Sequence, residues 1–487
     1  MRNTPDIDLQ DIALRAMEKY GFDTRFPDSL IDEIDAIEER VFSGEIEGKC
    51  DLRTVGWSSI DNEDSMDLDQ LEYCEPGRDG EIDVKIAIAD VDAYVRRGSR
   101  ADRYAGHNGT SVYTGVETFP MLPDRLSKGI TSLLPGKDRM AVIITYSVLP
   151  DGSFRPGSIT RGLVANKAKL IYEQVGDWLT GTGPVPDHVR IVPGMEEQIR
   201  LQDETAGRLR KYRLQQGALE LDTIEAQAVI AEGSVRDIVV RQQNRAHSII
   251  EEFMVAANGC MVAFLGRAGT PMIQRVVRTP KNWQGIVSTA AGYHEMLPGK
   301  PDSKALSRFL LKQKERDPVH FPDLSLTIVK LLGPGEYLAL APGDSPAGHF
   351  ALAVTDYTHA TAPNRRYVDI INQRLLKSVL AREKPPYSTK ELDEDAGWLT
   401  DREKASKKVE RFMRKAAAAV LLAGRTGESF DAIVTGVTEH GTYARMIAPP
   451  AEGMIVANEK GLKIGDMIRV RLIKTDPYNG FIDLVRI

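Results

Sequence analysis

Cysteine is scarce in this chain, with three in 487 residues. Cys50, Cys74 and Cys260 lie far apart and fit no metal-ligand spacing. They read as reduced, buried thiols rather than as a disulfide or zinc framework. No apolar run reaches the ~18 residues that cross a bilayer, and the opening MRNTPDIDLQDI lacks the basic-then-apolar order of a secretory signal. Basic charge is in deficit: 63 Lys and Arg face 70 Asp and Glu, a net charge of −7. A nucleic-acid binder with that balance has to concentrate its cations locally to neutralise phosphates. These absences point to a soluble cytoplasmic protein with no membrane partner; a monomer without an organic cofactor is the expectation set beside them.

What is present is ordinary globular material, 42% hydrophobic and 27% charged. The length suits several domains or one large catalytic unit with appendages. DLQDIALRAMEKYG places Leu9, Ile12, Ala13 and Met17 on one helical face, and a second helix after Pro27, with Asp28 or Ser29 as its N-cap, carries Leu30, Ile34, Ile37 and Val41. Strand signals follow in EIDVKIAIADVDAYV and RMAVIITYSVLP. Further on, GHFALAV reads as a strand and TAPNRRYVDIINQRLLKSVL as a helix with Pro363 in its first turn. REKASKKVERFMRKAAAAVLLAGR is a long basic helix. The last segment holds five short strand-like runs between Gly, Pro and Asn turns, which suggests a small closed barrel of the OB type. The expected fold class is α+β: a helical lead-in (1–50), a body of mixed sheets surrounded by helices (51–385), a basic connecting helix (386–425) and a five-stranded OB β-barrel (426–487).

The stretch IDNEDSMDLDQLEY, residues 60–73, gathers Asp61, Glu63, Asp64, Asp67 and Asp69 between hydrophobic strands. Two carboxylates ~4 Å apart repel by ~4 kcal/mol at an effective dielectric of ~20. A hard divalent cation converts that repulsion into coordination. An EF-hand loop is excluded, because it needs glycine where Met66 stands. Mg²⁺ held by a few aspartates, with water and a phosphate completing the octahedron, fits better.

Six segments occur in order: SIDNEDSMDLDQL, KIAIADVDAYV, TSVYTGVETFPMLPDRLS, GALELD, AHSIIEEFMVAAN and HFALAVTDYTHATAPNRRYVDIINQRLL. Together they resemble the ribonuclease II/ribonuclease R family, the RNB-domain exoribonucleases, and the tail is similar to the S1-type RNA-binding barrel that ends those enzymes. The resemblance implies an RNB catalytic domain enclosing an RNA channel. It implies Mg²⁺-dependent hydrolysis of single-stranded RNA from the 3′ end to nucleoside 5′-monophosphates, with one or two ions and Mn²⁺ as a substitute. Family members commonly carry two cold-shock-type barrels before the catalytic domain, and this chain has no room for them, so a more open channel entrance is expected.

Carried over residue by residue, the resemblance places Asp61, Asp67 and Asp69 as metal ligands, with Asp69 the most damaging to lose. The family's fourth aspartate is Gln70 here, which brings an amide oxygen and no charge. Arg365 would face the scissile phosphate, with Arg366 beside it on the RNA. Tyr113 would stack on bases near the 3′ end, and Tyr172 and Glu251 would touch the terminal nucleotides. Leu221 stands where the family has a stacking phenylalanine, and leucine forgoes the ~1–3 kcal/mol of base–aromatic stacking. Glu410 matches a position linked to discrimination of RNA from DNA near the 2′-hydroxyl. The basic helix carries Arg402, Lys404, Lys407, Lys408, Arg411, Arg414 and Lys415 as the local cation supply, and the barrel offers Phe430, His440 and Tyr443 for stacking with Arg445, Arg469 and Arg471 for phosphate. An RNB-fold RNA-binding protein with a decayed site and a DNA exonuclease are the competing readings.

Overall fold

The computed structural model describes residues 7–37, 50–222, 225–231, 234–241, 243–439 and 441–487. The fold is α+β, with a central mixed sheet, helices around it and a C-terminal barrel. The sheet uses β1 (Cys50–Asp51), β2 (Ser58–Asp61), β3 (Gln70–Pro76) and β4 (Ile82–Ala89). A ribbon of β5 (Val112–Tyr113) and β6 (Thr118–Phe119) lies apart, and the sheet is completed by β7 (Asp138–Val148), β8 (Phe154–Ala165) and β9 (Ala168–Ile171). Its order is β1-β8-β7-β4-β3-β2-β9, antiparallel through the middle and parallel at the β1–β8 and β2–β9 contacts. β4 alternates over its first half and is buried throughout its second, where both faces are covered.

Helix α1 (Leu9–Lys19) packs in a separate cluster, and α2 (Asp28–Asp35) and α3 (Arg100–Asn108) pack together on the main core. α4 (Tyr172–Thr180), α5 (Asp187–Ile191), α6 (Met195–Gln216) and α7 (Arg245–Arg267) follow the sheet, with the hairpin β10 (Glu225–Ala231) and β11 (Ser234–Arg241) between the last two. By length and composition α7 could cross a bilayer, although Glu251 and Glu252 interrupt its apolar run. Its Ile249, Phe253, Ala257 and Met261 are buried in the main core, so packing against protein accounts for its composition. A second helical cluster comprises α8 (Trp283–Gly292), α9 (Ser303–Arg316) and α10 (Phe321–Leu332), beside the pair β12 (Met272–Val276) and β13 (Glu336–Leu340). α11 (Tyr367–Ala381) is buried along most of its length, and α12 (Thr389–Leu422) spans 34 residues.

Three local expectations change. GHFALAV forms a single 3₁₀ turn at Phe350–Leu352 and isolated bridges at His349, not a strand. α11 starts at Tyr367, so Pro363, Arg365 and Arg366 lie in the turn before it. Pro27 takes the cap position of α2, and Val41 lies outside the described residues.

α12 joins three regions. Its Val409, Met413 and Ala416 pack on Leu9, Ile12 and Met17 of α1. Arg402 is absorbed into this contact: its guanidinium lies 3.8 Å from the Phe22 ring centre and 5.3 Å from that of Trp398, and it donates to the Tyr20 carbonyl at 3.1 Å. Lys407 pairs with Glu403 and Lys415 with Glu452, so part of the basic helix is internally neutralised. Arg411 and Arg414 remain exposed.

The barrel of β14 (Ser429–Thr438), β15 (Gly441–Met446), β16 (Glu452–Ala457), β17 (Met467–Asp476) and β18 (Phe481–Arg486) closes in the order β14-β15-β16-β18-β17. Phe430 is part of its core, and Arg445 is turned onto Asp323 of α10 at 2.7 Å, so both are used internally. His440 lies outside the described residues.

Candidate active site

The acids sit on the connection from β2 to β3, and the chain around it dictates its path. Lys169 of β9 donates to the carbonyls of Glu63 at 2.7 Å and Ser65 at 2.6 Å. The Ser132 hydroxyl donates to the Met66 carbonyl at 2.6 Å and accepts the Leu68 N–H at 2.9 Å. The Asp69 carbonyl accepts the Ala89 N–H at 2.9 Å. These ties sort the five carboxylates. Glu63 and Asp64 are exposed, Asp61 and Asp67 are half-buried, and Asp69 is 3% exposed.

Asp69 is the centre of the arrangement. One of its oxygens accepts the Asn364 N–H at 2.9 Å, and the other lies 3.7 Å from Nε of Arg365. Burial pushes its carboxyl up to about 8, against the pull of Arg365 and the Asn364 N–H and with help from the charges of Asp67 and Asp369. Burial also raises Asp61, although its Oδ1 accepts the Ser65 hydroxyl at 2.6 Å and the Asn62 N–H at 2.7 Å. The Tyr113 hydroxyl stands 3.5 Å from Asp67, and its proton is held by burial and by the charges of Asp67, Asp69 and Asp61. Tyr172 opens α4 and stacks on His247 of α7 with centroids 3.9 Å apart and planes 12° from parallel. Its hydroxyl is raised by burial and by the charges of Asp61 and Glu72.

The turn before α11 aims Arg365. The Thr110 hydroxyl and Ser111 N–H both donate to the Arg365 carbonyl at 3.0 Å. Asp369, fully buried, accepts the Ala362 N–H at 2.7 Å and two Arg366 N–H bonds at 2.8 Å. This fork commits Arg366 to its own turn, which corrects the expectation that it lies on RNA. The Arg365 side chain is left 46% exposed beside the acids.

Asp61, Asp67, Asp69, Arg365, Tyr113 and Tyr172 therefore share one electrostatic neighbourhood. The remaining candidates lie on other elements. Gln70 opens β3, half-buried. Leu221 packs against the α8–α10 cluster. Glu251 on α7 accepts from Arg213 at 3.0 Å, beside a buried Glu252 held by the same arginine. Glu410 is half-buried on α12, and Tyr443 on β15 lies under the Lys415 ammonium, 5.5 Å from its ring centre. Sequence reasoning missed Lys169, Ser132 and Asn364, whose contacts are distant along the chain, and Asp369, whose partners Ala362 and Arg366 lie in the turn before its own helix.

Among the described residues, no three His, Cys, Asp or Glu side chains stand close enough to cage a metal ion alone. The donor set is nonetheless that of a hard ion: carboxylate oxygens on Asp61 and Asp69 whose proton affinity the charge of Asp67 raises, beside the half-exposed Arg365. Mg²⁺ binds in this manner, through one or two carboxylates with waters and substrate phosphate completing its shell. The residues fit the ion.

The family profile for the RNB domain matches residues 49–382, and that for the RNase II-type exonuclease C-terminal S1 domain matches residues 428–487. The chain belongs to the ribonuclease II/ribonuclease R family. Ribonuclease R of Thermotoga maritima is 30% identical over 99% of this chain and 70% of that protein. The chain spans 54–70% of the length of its curated relatives. Among solved structures, RNase R of Mycoplasma genitalium in complex with ribose-methylated single-stranded RNA superposes with a TM-score of 0.89 at 22% identity, over 99% of this chain and 78% of that one. Yeast Ssd1, a pseudonuclease, gives a TM-score of 0.66 at 17% identity over 93% of this chain and 56% of that one. Both likenesses show the fold.

Proposed function

We propose that this chain is a Mg²⁺-dependent 3′-to-5′ exoribonuclease that degrades single-stranded RNA to nucleoside 5′-monophosphates. The observation that carries this reading is the approach of Arg365 to within 3.7 Å of a buried Asp69 in an RNB fold. Asp61, Asp67 and Asp69 would hold the metal, with the Gln70 amide oxygen beside them. An ion held there would polarise the scissile phosphate, activate the attacking water and stabilise the 3′-oxygen that leaves. Arg365 supplies N–H donors and positive charge to the phosphate as negative charge builds on its oxygens. Asp69 would meet the ion through the oxygen that Asn364 leaves free, and the proton of the water would pass to solvent. Tyr113, 42% exposed, offers a ring face to a base of the entering strand. Tyr172 offers its hydroxyl to the last nucleotide.

A second reading, an RNA-binding protein of the same fold without turnover, is favoured by Gln70 and Leu221. The yeast pseudonuclease illustrates that this fold exists without the chemistry. Incubating the purified chain with a 5′-labelled RNA oligonucleotide and Mg²⁺ separates the two. The exonuclease shortens the label progressively and spares a DNA oligonucleotide of the same sequence, whereas a binder retards the RNA at full length.

A further inference from the structure

Gly207 stands exposed in the middle of α6, a helix of 22 residues. Nothing lies within 4 Å of the point where a side chain would start. Glycine is less stable than alanine inside a helix, and no contact among the described residues requires it here. The opposite face of α6 does the packing. Its Ile199, Gln202, Ala206 and Leu209 are buried, and Gln198 exchanges two hydrogen bonds with Cys74 of β3, at 2.7 and 2.6 Å. Gly207 therefore lies on the outward side of the helix, with α6 between it and the acid-bearing sheet.

This bare position belongs to a groove between α6 and α9. At one end Gly217 closes α6 with a φ of +102°, and a Cβ there would stand 2.8 Å from the Lys304 backbone nitrogen, so the two helices touch. From that contact the groove runs back along α6 to Gly207, with a volume of about 660 Å³, in the range of ligand sites. Lys304, Arg308 and Leu311 line it from α9, and Lys211 and Leu214 from α6, each set repeating by about one helical turn. The acids around it are already used. Asp302 caps α9 by accepting the Ala305 N–H at 2.9 Å, Glu204 pairs with Arg208 at 2.6 Å, and Glu220 takes Arg210. Lys211, Lys304 and Arg308 are exposed and have no acidic partner among the described residues. In a chain of net charge −7, three cations left over in one groove mark a place for an anion.

We propose that the α6–α9 groove is a second RNA site, which holds the backbone of a single strand outside the catalytic site. Lys211, Lys304 and Arg308 meet the phosphates, Leu214 and Leu311 give a base an apolar surface, and Gly207 lets the ribose–phosphate chain approach the helix backbone. A duplex keeps its bases stacked inward and cannot use that surface, so the groove selects a single strand. This rests on the reading that the chain acts on single-stranded RNA. A long strand engages both sites and gains affinity from the linkage, whereas a short one reaches the catalytic site alone.

The test compares the whole chain with Lys211→Ala/Lys304→Ala/Arg308→Ala and, separately, with Gly207→Glu, which sets a carboxylate on the groove floor. Binding is measured in EDTA with oligouridylates of about 8 and about 40 nucleotides, below and well above the span of one strand-binding site. The triple variant is expected to bind the long strand about tenfold or more weakly at ~0.1 M salt, with a salt dependence shallower by up to about two units. Gly207→Glu is expected to weaken the long strand in the same direction. Both variants are expected to match wild type on the short strand, in binding and in its Mg²⁺-dependent shortening, which also shows that they are folded. Unchanged affinity for the long strand in both variants overturns the proposal, as does an equal loss for both lengths in folded protein. If the triple variant does not fold, Gly207→Glu decides alone by the same comparison. A wild-type chain that binds the long strand better than the short one, with the difference lost in the variants, supports the groove even if it shortens neither; in that case only the exoribonuclease reading falls.

Discussion

Replacing Asp69 with asparagine removes one charge and keeps the shape that accepts the Asn364 N–H. The consequence for stability follows from the site's geometry. Folding carries the carboxyl from an ordinary 3.8 to about 8, a preference for the protonated form on the order of 5 kcal/mol at its ceiling. Folding thus strengthens the hold on the proton. Its stabilising contribution is complete below the unfolded value near ~4 and disappears as pH rises through ~8. Between those limits the unfolded chain binds fewer protons than the native one, so the metal-free protein weakens with rising pH. The asparagine variant has no proton to lose at this position. Thermal midpoints measured in EDTA between about pH 5.5 and about pH 8.5 are expected to fall more steeply for wild type than for Asp69→Asn. Adding Mg²⁺ at the upper pH is expected to restore wild type and leave the variant unmoved, since only a ligand that binds the native state stabilises it. Parallel pH profiles, or equal recovery of both proteins with Mg²⁺, would refute the reasoning.

Other perturbations separate site from scaffold. Arg365→Ala is expected to lower turnover on RNA far more than affinity, because in the proposed reading its half-exposed side chain would meet the phosphate only at the end of the strand; single-turnover rates against filter-binding constants check this. Asp369→Ala leaves Arg366 without its fork and is expected to cost about 3–5 kcal/mol, measured as a lowered denaturation midpoint together with lost activity, since the turn that aims Arg365 is released. Arg402→Ala is expected to destabilise the α1–α12 contact by about 2 kcal/mol, the scale of a desolvated cation–π contact, with RNA affinity unchanged. Arg411→Ala with Arg414→Ala reverses that pattern: stability holds, and the salt dependence of RNA binding becomes shallower by about one unit of slope per lost phosphate contact.

Much of this fold was legible because local signals and tertiary burial agree. The alternation in EIDVKIAIA matches β4, and the Gly-, Pro- and Asn-punctuated tail matches the closed barrel. The same agreement fails at GHFALAV, where its apolar, strand-like composition meets a 3₁₀ turn capped by His349, and at Arg366, where a basic run conceals a bidentate pair with Asp369. Arg402 shows why charge counts mislead: an arginine in a basic helix becomes packing material once Phe22 and Trp398 enclose it. The acid loop was legible as a cluster, but its sorting was not. That Glu63 and Asp64 point outward depends on Lys169 and Ser132, each tens of residues away in sequence.

The most direct test of the account is the release of mononucleotide from a 3′-labelled single-stranded RNA by wild type and by Asp69→Asn, each with Mg²⁺ and with EDTA, alongside their RNA binding. Labelled nucleoside 5′-monophosphate is expected from wild type with Mg²⁺ alone, and intact RNA bound at near wild-type affinity from the variant. Equal release by the variant, or release that persists in EDTA, would contradict a metal-charged acid site at the end of the RNA strand.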